Sequence, residues 1–371
     1  MIKVVFLIRS LDLGGTERQL ATVIPRLSKN RFDVTVVSFY QGGEFGGELA
    51  AKGVKVLNLD KRGRWDVLVL WRLGRELRRL RPAILHSYLV EPNLAAVFIK
   101  PWLKSTRVIW GIRASDVDLS QQDWFTRMNF RLQILFSCFA DLAIFNSSAG
   151  RDYHLGLKVR THHTVVIHPG VDLELFKPKP ELGRLVRNEW AVKDGTVLIG
   201  LIGRLDPIKD HPTFLEAAAL VARESADFRF VCVGDGPAEY GARLRQLGNE
   251  LGLSGRLVWA GSRTDMPAVY SALDIACCSS VSEGLPNVVA EAMACGVPCV
   301  VTDVGDSALL VGDTGIVAPS RNPQALAAGL KKCIENLRAG LAPDPRQRII
   351  DEFNLQRLVE RTEAALDSVV R

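Results

Sequence analysis

The chain has 371 residues, of which 47 % are hydrophobic and 24 % charged, an ordinary globular composition with more chain than one hydrophobic core usually supports. No apolar run is long enough to span a bilayer, which argues against a transmembrane segment. The net charge of +6 is uneven, because residues 1–180 hold 27 Lys and Arg against 16 Asp and Glu (+11) and the remainder holds 20 against 25 (−5). The basic half suggests an anionic partner such as a membrane surface, a lipid phosphate or a nucleic acid.

The first half of the chain alternates predicted strands and helices. Its first strand, Val4–Ile8, is a continuous apolar run of the kind that is buried on both faces of a parallel sheet. A glycine turn then opens a helix that runs through Leu27, and a glycine-rich link is predicted from Gly42 to Gly47. Helices are also predicted at Trp65–Arg81 and Trp124–Cys138. The remaining strands of this half are Asp33–Phe39, Val54–Leu59, Ala83–His86, Arg107–Trp110, Leu142–Phe145 and Thr164–Ile167.

The second half repeats the alternation after a break. Residues 173–195 contain prolines and charges with little periodicity, and we expect an interdomain linker with a small helix there. The pattern predicts an α/β protein of two Rossmann-like parallel-sheet domains facing a cleft, at residues 1–180 and 181–354. Ligands of such sheets bind beyond the carboxyl ends of the strands. The predicted strands of this half are Val197–Ile202, Phe228–Val233, Leu257–Ala260, Leu273–Cys278 and Pro298–Val301.

Cysteine and histidine spacing argues against a disulfide framework and a metal site. The seven cysteines are an odd number without a CxxC pair, and the six histidines show no HExxH spacing. We therefore expect free buried thiols in a reducing compartment, and neither a metal ion nor a cofactor.

The stretch from residue 279 to residue 298 predicts a helix that begins beside an anion site. Pro286 suits the first helical position, and Gly296 suits the position after the helix, so a short helix is predicted from Pro286 to Cys295. The free amides and the positive end of its N-terminus suit an anion such as phosphate.

Charged side chains are expected around this anion site. Glu283 precedes the helix and Glu291 lies in its second turn on the same face as Asn287, so two carboxylates are available to accept hydrogen bonds from sugar hydroxyls. After the first strand of the second half, Arg204 and Lys209 are five residues apart on one loop. Both can reach one diphosphate, the arginine as a planar fork and the lysine as a point charge. Surface ion pairing with neighbouring aspartates is the alternative interpretation.

Four other motifs carry weaker signals. Gly234-Asp235-Gly236-Pro237 begins like a dinucleotide fingerprint but lacks the third glycine, which makes a dehydrogenase a weak hypothesis. The loop Gly261–Asp265, with Arg263, can line a base pocket or simply turn the chain. Asp116-Val117-Asp118 is a DxD motif that can hold a divalent metal, begin a helix or lie on the surface. His86, at the end of an apolar strand, can contact an acceptor or be a hydrogen-bonded structural residue.

Aromatic and basic residues are interleaved in two segments of the first half. The segment Phe98–Lys104 and the predicted helix Trp65–Arg81 can together form an interfacial membrane patch, or divide between core and solvent.

The order of these motifs resembles the retaining glycosyltransferases of family 4 (group 1), which have the two-domain GT-B fold. Glu283 and Glu291 match that family's E-x7-E signature. The first half matches more loosely, at residues 14–17, 146–147 and 170–172. The matching pieces of the second half are Gly203–Lys209, Val233–Pro237, Gly261–Asp265 and Glu283–Pro298.

The resemblance implies a role for each of these residues. Arg204 and Lys209 bind the diphosphate of a nucleotide sugar and stabilise the departing nucleoside diphosphate. Glu283 contacts the transferred sugar, so these three are the predicted catalytic residues. Glu291 binds the ribose hydroxyls. The other predicted donor-binding residues are Gly15, Arg263, Gly284, Leu285, Asn287 and Val288. Because fixed cations and a helix end neutralise the leaving group, no metal is required.

The first half departs from the family pattern. Many relatives carry a histidine before glycine where this chain has Trp110-Gly111-Ile112-Arg113, and their H-x-H motif is replaced by His86-Ser87-Tyr88. We predict Arg113 and His86 as the residues that contact the sugar or the acceptor. The resemblance also implies that residues 1–180 bind the acceptor, that residues 181–354 bind the donor, and that a last helix at 355–371 packs on the first domain.

The predicted function is a metal-independent retaining hexosyltransferase. It moves a sugar from a UDP or GDP sugar to a glycan or lipid-linked acceptor in polysaccharide or glycolipid synthesis, and no nucleic acid is expected as a partner. A sugar-nucleotide epimerase of the same fold and a catalytically silent nucleotide-binding subunit are the alternatives. The expected location is the cytoplasm, with the cytoplasmic face of the membrane as a docking surface.

Overall fold

The computed structural model describes the whole chain apart from residues 13, 104, 114–122, 342 and 371. The chain divides into two compact units, Met1–Pro169 with Gln356–Arg371, and Gly170–Leu355. The boundary therefore lies before residue 170 and not at the predicted 180/181, because Val171 and Phe176 are buried in the core of the second unit. The DxD motif at residues 116–118 lies outside the described residues.

The described strands form two parallel sheets, one in each unit. In the first unit they are β1 Ile2–Ile8, β2 Phe32–Ser38, β3 Lys55–Asn58, β4 Ile84–Tyr88, β5 Arg107–Ile112, β6 Leu142–Phe145 and β7 His163–Val166. In the second they are β8 Val197–Ile202, β9 Phe228–Val233, β10 Leu257–Gly261, β11 Ile275–Cys278, β12 Cys299–Thr302 and β13 Ile316–Ala318. The strand orders are β3-β2-β1-β4-β5-β6-β7 and β10-β9-β8-β11-β12-β13, which confirms the predicted class of two Rossmann-like domains.

Helices cover the faces of both sheets, which explains why the central strands are continuous apolar runs. The first-unit helices are α1 Gly15–Val23, α2 Glu44–Ala51, α3 Leu68–Leu80, α4 Val90–Ile99, α5 Trp124–Phe136 and α6 Ser148–Gly156. The helices that follow are α7 Pro180–Glu189, α8 His211–Ala222, α9 Ala238–Glu250, α10 Met266–Ala272, α11 Asn287–Ala294, α12 Ser307–Val311, α13 Pro323–Arg338, α14 Pro345–Glu352 and α15 Leu355–Ser368.

Two segments predicted as a link or a linker contain helices, and a small helix was expected in the second of them. The expected glycine-rich link includes the start of α2, because Phe45 and Leu49 turn inward and are buried. The expected linker at residues 173–195 contains α7, whose Val186 and the following Trp190 are buried in the second core. A Cβ on Gly183 would clash with the Ser271 carbonyl, so α7 packs closely against α10. The small helix expected in this segment is therefore present as α7, but the segment is part of the second unit because its apolar side chains join that core.

The last helix, α15, belongs to the first unit. The Glu363 carboxylate accepts hydrogen bonds from the Ser28 backbone N–H at 2.7 Å and from the Arg31 guanidinium at 2.8 Å. Leu358 and Leu366 on the same helix are buried. Polar contacts at one end and buried leucines along one face therefore hold α15 to this unit.

Candidate functional site

The strand order of the second sheet reverses at β8, which pairs with β9 on one side and with β11 on the other. Ligands of open α/β sheets bind at such reversals, beyond the carboxyl ends of the strands. The loop after β8 carries Arg204 and Lys209, and the loop after β11 carries Glu283. The Val281 N–H donates to the Ile208 carbonyl at 2.8 Å and joins the two loops. The fold thus brings together residues that are far apart in the sequence.

Lys209 and Glu283 form the centre of this site. The lysine Nζ lies 2.5 Å from the glutamate Oε1, and the Ser280 hydroxyl donates to the same oxygen at 2.7 Å. Burial disfavours the charged ammonium, but the adjacent Glu283 carboxylate outweighs it and raises the pKa of Lys209 above its ordinary value. Lys209 therefore stays charged at neutral pH, and the bonds from Lys209 and Ser280 hold the Glu283 carboxylate in one orientation.

The backbone around Lys209 is fixed by side-chain hydrogen bonds. The Ser279 hydroxyl bridges the carbonyl oxygens of Lys209 and Asp210, at 2.8 and 2.9 Å. Asp210 has a φ of +47° and accepts a bond from the Thr213 hydroxyl at 2.7 Å at the start of α8. Before the lysine, Asp206 accepts from the Ile208 N–H at 3.0 Å. The ammonium is therefore presented from a rigid turn.

Arg204 lies on the same loop and is the most open charge of the site. Its side chain is 80 % exposed, and its guanidinium lies 3.5 Å from the Asp206 carboxylate. Exposed ion pairs of this kind contribute at most about 1 kcal/mol to stability. A phosphate can therefore displace the Asp206 carboxylate from Arg204 at a small free-energy cost. The surface ion pair that the sequence left open therefore exists and is weak.

The glycines of the Gly234-Asp235-Gly236 motif support the Arg204 loop. A Cβ on Gly234, where φ is +137°, would clash with the Gly203 carbonyl, and one on Gly236 would clash with the Leu205 carbonyl. The Leu205 N–H also donates to the Asp235 carbonyl at 3.0 Å. The motif that resembled a partial dinucleotide fingerprint is thus a close backbone contact between two loops.

The predicted anion-binding helix exists as α11 and begins one residue later than expected. Pro286 is its N-cap, and the carbonyl of Pro286 accepts the N–H groups of Val289 and Ala290. The N–H groups of Asn287 and Val288 lie in the first turn, where helical amides have no carbonyl one turn before them. These amides and the helix dipole can bind a phosphate.

Gly284 and Leu285, between Glu283 and α11, contribute backbone and not side chains. Leu285 is 5 % exposed and packs in the core. The Gly284 carbonyl accepts the Asp306 N–H at 2.7 Å, and a Cβ on Gly305 would clash with the Glu283 carbonyl. The predicted contacts of Gly284 and Leu285 with a donor would therefore be made by their peptide groups.

Glu291 has a partner that the sequence did not indicate. The Tyr270 hydroxyl donates to its Oε2 at 2.8 Å from a fully buried position on α10. Burial first, and then the Glu291 charge, raises the pKa of Tyr270 well above its ordinary value, so the phenol remains a donor. Tyr270 escaped sequence analysis because an apolar helix face explains a tyrosine equally well. Ser280, in contrast, lies in the stretch from residue 279 to residue 298 that the sequence singled out, three residues before Glu283.

Arg263 is committed to neighbouring carboxylates. It makes two hydrogen bonds of 2.8 Å to Asp265 and one of 2.6 Å to Glu189, and these pairs raise its pKa further. Its guanidinium also lies 6.0 Å from the Trp190 ring centroid. A donor contact by Arg263 remains a prediction, and it competes with three hydrogen bonds.

Gly15, in the first unit, is the first residue of α1, in the connection after β1. A Cβ there would meet no described atom within 4 Å, and one on Gly14 would meet only the flexible end of the Glu17 side chain. Packing among the described residues therefore requires glycine at neither position, and the predicted approach of Gly15 to a donor remains a prediction.

His86 and Arg113 line one small cavity of about 10 Å³ in the first unit, the size of a single water. His86 is 1 % exposed, and its ring lies 4.4 Å from that of Tyr88. Neither ring nitrogen has a hydrogen-bond partner in the described part of the chain. Burial, and then the Arg113 charge, lowers the pKa of His86 well below its ordinary value. This burial favours the structural interpretation of His86 over a direct acceptor contact.

Arg113 is the more accessible of the two predicted contacts. Its guanidinium lies 5.0 Å from the centroid of the Tyr88 ring, within cation–π distance. Its Nε and Nη1 are buried without a hydrogen-bond partner in the described ranges. A sugar or acceptor contact by Arg113 remains a prediction.

Cysteines and acidic side chains form no metal site in the described part of the chain. All seven cysteines are free, with Cys138 exposed and the others buried. Burial raises the pKa of Cys295 and of Cys333 to about 12, so these thiols are unreactive at neutral pH. No helix of the described residues is long and apolar enough to cross a membrane.

Comparison with known proteins matches both units to family models. Residues 196–336 match the model described as glycosyl transferases group 1, and residues 13–175 match that of glycosyltransferase family 4.

Two curated relatives are similar over parts of their length. The UDP-Gal:alpha-D-GlcNAc-diphosphoundecaprenol alpha-1,3-galactosyltransferase of Escherichia coli is 28 % identical over 53 % of this chain and 52 % of that protein. A D-inositol 3-phosphate glycosyltransferase of Corynebacterium urealyticum is 29 % identical over 60 % of this chain and 56 % of that protein. The chain thus spans about half the length of the curated relatives it matches.

Solved structures share the fold over the whole chain. Anabaena Alr3699/HepE in complex with UDP has a TM-score of 0.86 at 23 % identity, covering 99 % of this chain and 100 % of that one. A glycosyltransferase from Rickettsia africae has a TM-score of 0.85 at 18 % identity, covering 100 % and 99 %.

Proposed function

Because the chain belongs to the group 1, family 4 glycosyltransferases and has their GT-B fold, we propose that it transfers a sugar from a nucleotide diphosphate sugar to a glycan or lipid-linked acceptor. One observation carries this proposal. Lys209 and Glu283, 74 residues apart in the chain, are 2.5 Å apart at the carboxyl edge of the second sheet. Arg204 is on the same loop as the lysine, and α11 begins just after the glutamate. The site therefore offers cations and amides for a diphosphate next to a carboxylate for a sugar.

Fixed positive groups stabilise the leaving group in this proposal. Lys209 has three N–H donors and uses one on Glu283, so it can also donate to a phosphate oxygen. Arg204 and the first amides of α11 supply further donors. Lys209 and the amides of α11 are held in place before the reaction, so charge that develops on the departing diphosphate meets preorganised donors. We propose that the reaction needs no metal ion for this reason.

The two glutamates orient the donor. Glu283 accepts hydrogen bonds from sugar hydroxyls while Lys209 and Ser280 hold its Oε1. Glu291 accepts from the ribose hydroxyls while Tyr270 fixes its Oε2. Each carboxylate thus has one oxygen that sets its orientation, which limits the geometries in which a sugar or a ribose can bind.

Transfer is proposed to retain configuration at the anomeric carbon. The bond from that carbon to the diphosphate oxygen breaks, and a bond to the acceptor oxygen forms on the same face. The proton of the acceptor hydroxyl passes to the departing diphosphate, whose negative charge makes it the nearest base. Arg113 is the proposed acceptor-side or sugar contact of the first unit, and His86 acts behind it through packing.

A uridine diphosphate sugar is the first donor to test. The Escherichia coli relative uses UDP-Gal on a diphosphoundecaprenol-linked sugar, and HepE was solved with UDP and with UDP-glucose. These proteins support a UDP sugar as donor and a lipid-linked sugar as acceptor. A role in cell-surface polysaccharide or glycolipid synthesis in the cytoplasm follows from the same proposal.

The test combines binding and product analysis. Isothermal titration with UDP and UDP-glucose measures donor binding for wild type, Lys209→Ala and Glu283→Ala. Lys331→Ala is the matched control, because Lys331 pairs with Glu224 on the surface of the same unit. We expect UDP binding by wild type and the control and a loss in Lys209→Ala. Glu283→Ala should retain UDP but lose slow hydrolysis of the donor sugar.

Other outcomes identify the alternatives. Wild-type activity in both site variants would overturn the proposal. Donor binding without hydrolysis or transfer to any lipid-linked or glycan acceptor would identify a silent subunit. Conversion of the donor to an epimer without acceptor, detected by chromatography of the nucleotide sugars, would identify an epimerase.

A further inference from the structure

Three aromatic side chains of the first unit form an exposed cluster that the donor site does not use. Trp65 lies 6.1 Å from Trp124 and 5.1 Å from Phe125, measured between ring centroids. The two tryptophans are 65 % and 60 % exposed. Single exposed apolar side chains are common on protein surfaces. A group of exposed aromatic rings in contact with one another marks an interaction surface instead.

Helix α3 extends this apolar surface. Its Val69, Leu73 and Leu77 are buried, and the opposite stripe is exposed. The exposed stripe begins with Leu68 and Trp71, 65 % and 64 % exposed, and continues with Arg75 and Arg78. The face that would normally be polar is therefore apolar in its first turn and basic afterwards.

The surroundings of the cluster are strongly basic. Residues 62–81 hold seven arginines against two acidic residues, Asp66 and Glu76. The Arg64 guanidinium lies 5.0 Å from the Phe125 ring centroid, and that of Arg75 lies 5.3 Å from Trp71. Rings that contact arginine in this way match the interfacial region of a membrane, where tryptophan lies at headgroup depth and arginine meets lipid phosphate.

A second aromatic group lies elsewhere on the same helix layer. Phe98 packs on Phe136 at 5.2 Å, and Phe136 on Phe139 at 6.1 Å, at the C-terminal ends of α4 and α5. Helix α5 has 13 residues, so this group is about 20 Å from the Trp124 end. The sequence grouped residues 98–104 with residues 65–81, but the fold joins Trp65 to the start of α5 instead.

We propose that the surface formed by Trp65, Val67, Leu68, Trp71, Trp124 and Phe125 docks on an anionic lipid bilayer. The basic charge of residues 62–81 complements an anionic surface. The exposed tryptophans beside arginine match the headgroup region of a bilayer, which selects lipid over a protein face as the occupant. The rings would enter the headgroup region, and Arg62, Arg64 and Arg75 would contact lipid phosphates. Binding would be peripheral and reversible.

The position of this surface explains why membrane docking would assist catalysis, and this step rests on the proposed function. Helices α3 and α5 follow β3 and β5, so their N-termini lie at the carboxyl edge of the first sheet. Gly15 and Arg113 follow β1 and β5 at the same edge. A lipid-linked acceptor whose lipid stays in the bilayer would therefore present its sugar to this edge of the unit.

Flotation with vesicles tests the proposal on the full chain. Vesicles of phosphatidylcholine alone are compared with vesicles that also contain phosphatidylglycerol, at low and high salt. We expect wild type to float only with the anionic vesicles and to be released by salt. Trp65→Ser with Trp71→Ser should abolish flotation. Arg62→Gln and Arg75→Gln should each weaken it by about fivefold.

Matched controls come from the second unit. Leu185→Ser removes a side chain that is 64 % exposed on α7, and Arg243→Gln removes an arginine that is 72 % exposed. Both should float like wild type. Trp65→Phe and Trp71→Phe keep an apolar ring, so they should still float, but brominated lipid should quench a smaller share of their tryptophan fluorescence.

Three outcomes would overturn the proposal. The first is that wild type does not float, or floats regardless of salt. The second is that the second-unit control variants lose flotation equally. The third is that wild type sediments as a dimer and the Trp65→Ser with Trp71→Ser variant sediments as a monomer. The last would assign the surface to a second copy of the chain. UDP titration without vesicles is run in parallel. Wild-type UDP binding in the tryptophan variant shows that the donor site is intact, and absent UDP binding in wild type would count against the proposed function alone.

Discussion

The Lys209 ammonium lies 2.5 Å from the Glu283 carboxylate, and the Ser280 hydroxyl bonds to the same carboxylate oxygen. The pair is mostly buried, so each charge depends on the other for its stability. A diphosphate that binds to the lysine would join this pair instead of replacing it, because an ammonium has three donors. The contact therefore links the proposed phosphate and sugar sites directly.

Glu283→Gln is expected to lower stability as well as activity. The amide keeps the shape but leaves the mostly buried ammonium without its counter-charge, which costs about 2 kcal/mol. Glu283 raises the pKa of Lys209, so its stabilising effect is present at neutral pH and is lost only as pH rises through that raised pKa. Urea unfolding at pH 7, followed by fluorescence, measures the difference.

Glu224→Gln is the control for this prediction. Glu224 pairs with Lys331 on the surface, where removal of one partner should change the free energy of unfolding by under about 1 kcal/mol. Equal losses in the two variants would show that the buried pair has no special role.

Tyr270→Phe is expected to weaken UDP binding without disturbing the fold. The phenyl ring fills the same buried space, but Glu291 loses the hydrogen bond that orients its Oε2. A hydrogen bond to a charged group contributes about 1.5–3 kcal/mol, but its loss affects UDP only through the orientation of Glu291, so the affinity for UDP should fall roughly fivefold. Isothermal titration with UDP measures this change in affinity. The control is Tyr40→Phe in the first unit, which should bind UDP like wild type. If Tyr270→Phe binds UDP with unchanged affinity, orientation of Glu291 by Tyr270 plays no part in donor binding.

Gly234→Ala should destabilise the second unit. Its φ of +137° is unfavourable for alanine, and the added Cβ would clash with the Gly203 carbonyl. We expect a loss of about 3 kcal/mol together with a displaced Arg204 loop and weaker UDP binding. Gly252→Ala shares a positive φ, at +75°, but has no atom within 4 Å of its Cβ, so it should cost only about 1 kcal/mol. Thermal unfolding of both variants separates the clash from the backbone effect, and similar losses would argue against the close loop contact.

His211 is expected to make the protein acid-sensitive. Burial, and then the Lys209 charge, lowers the pKa of His211 to about 4. The unfolded chain then binds this proton near pH 6.5 and the native protein does not, so stability falls as pH drops between these values. The full effect is about 3 kcal/mol, from the 2.5-unit difference in pKa.

His211→Leu should flatten this pH dependence. Neither ring nitrogen of His211 has a hydrogen-bond partner in the part of the chain that the structure describes, so leucine removes no such bond there. Urea unfolding from pH 7 to pH 4.5 compares the variant with wild type and with His162→Leu, whose histidine is exposed. A slope in His211→Leu that matches wild type would assign the acid sensitivity to other groups.

Much of the fold was readable from the sequence because buried parallel strands leave a direct signal. The predicted and observed bounds agree for β6, β8 and β9, whose residues are apolar on both faces apart from Arg229. Weaker signals failed where packing decided the outcome. Helix α2 begins among glycines, the segment around α7 belongs to the second core and not to a linker, and the three-residue β13 is too short to show a period.

The sequence by itself determined which residues belong to the candidate site. Arg204, Lys209, Glu283 and Glu291 stand in loops and a helix start whose residue types and spacing point to a diphosphate and to hydroxyl groups. Only the tertiary structure decided which of them touch. In the folded chain Lys209 pairs with Glu283, and the Tyr270 hydroxyl donates to Glu291. His86 is buried, and the rings of Trp65 and Trp124 are in contact. The spacing of residues along the chain shows which chemical groups one loop or helix presents. Contacts between residues that are distant in the sequence depend on strand order and on packing across the sheet.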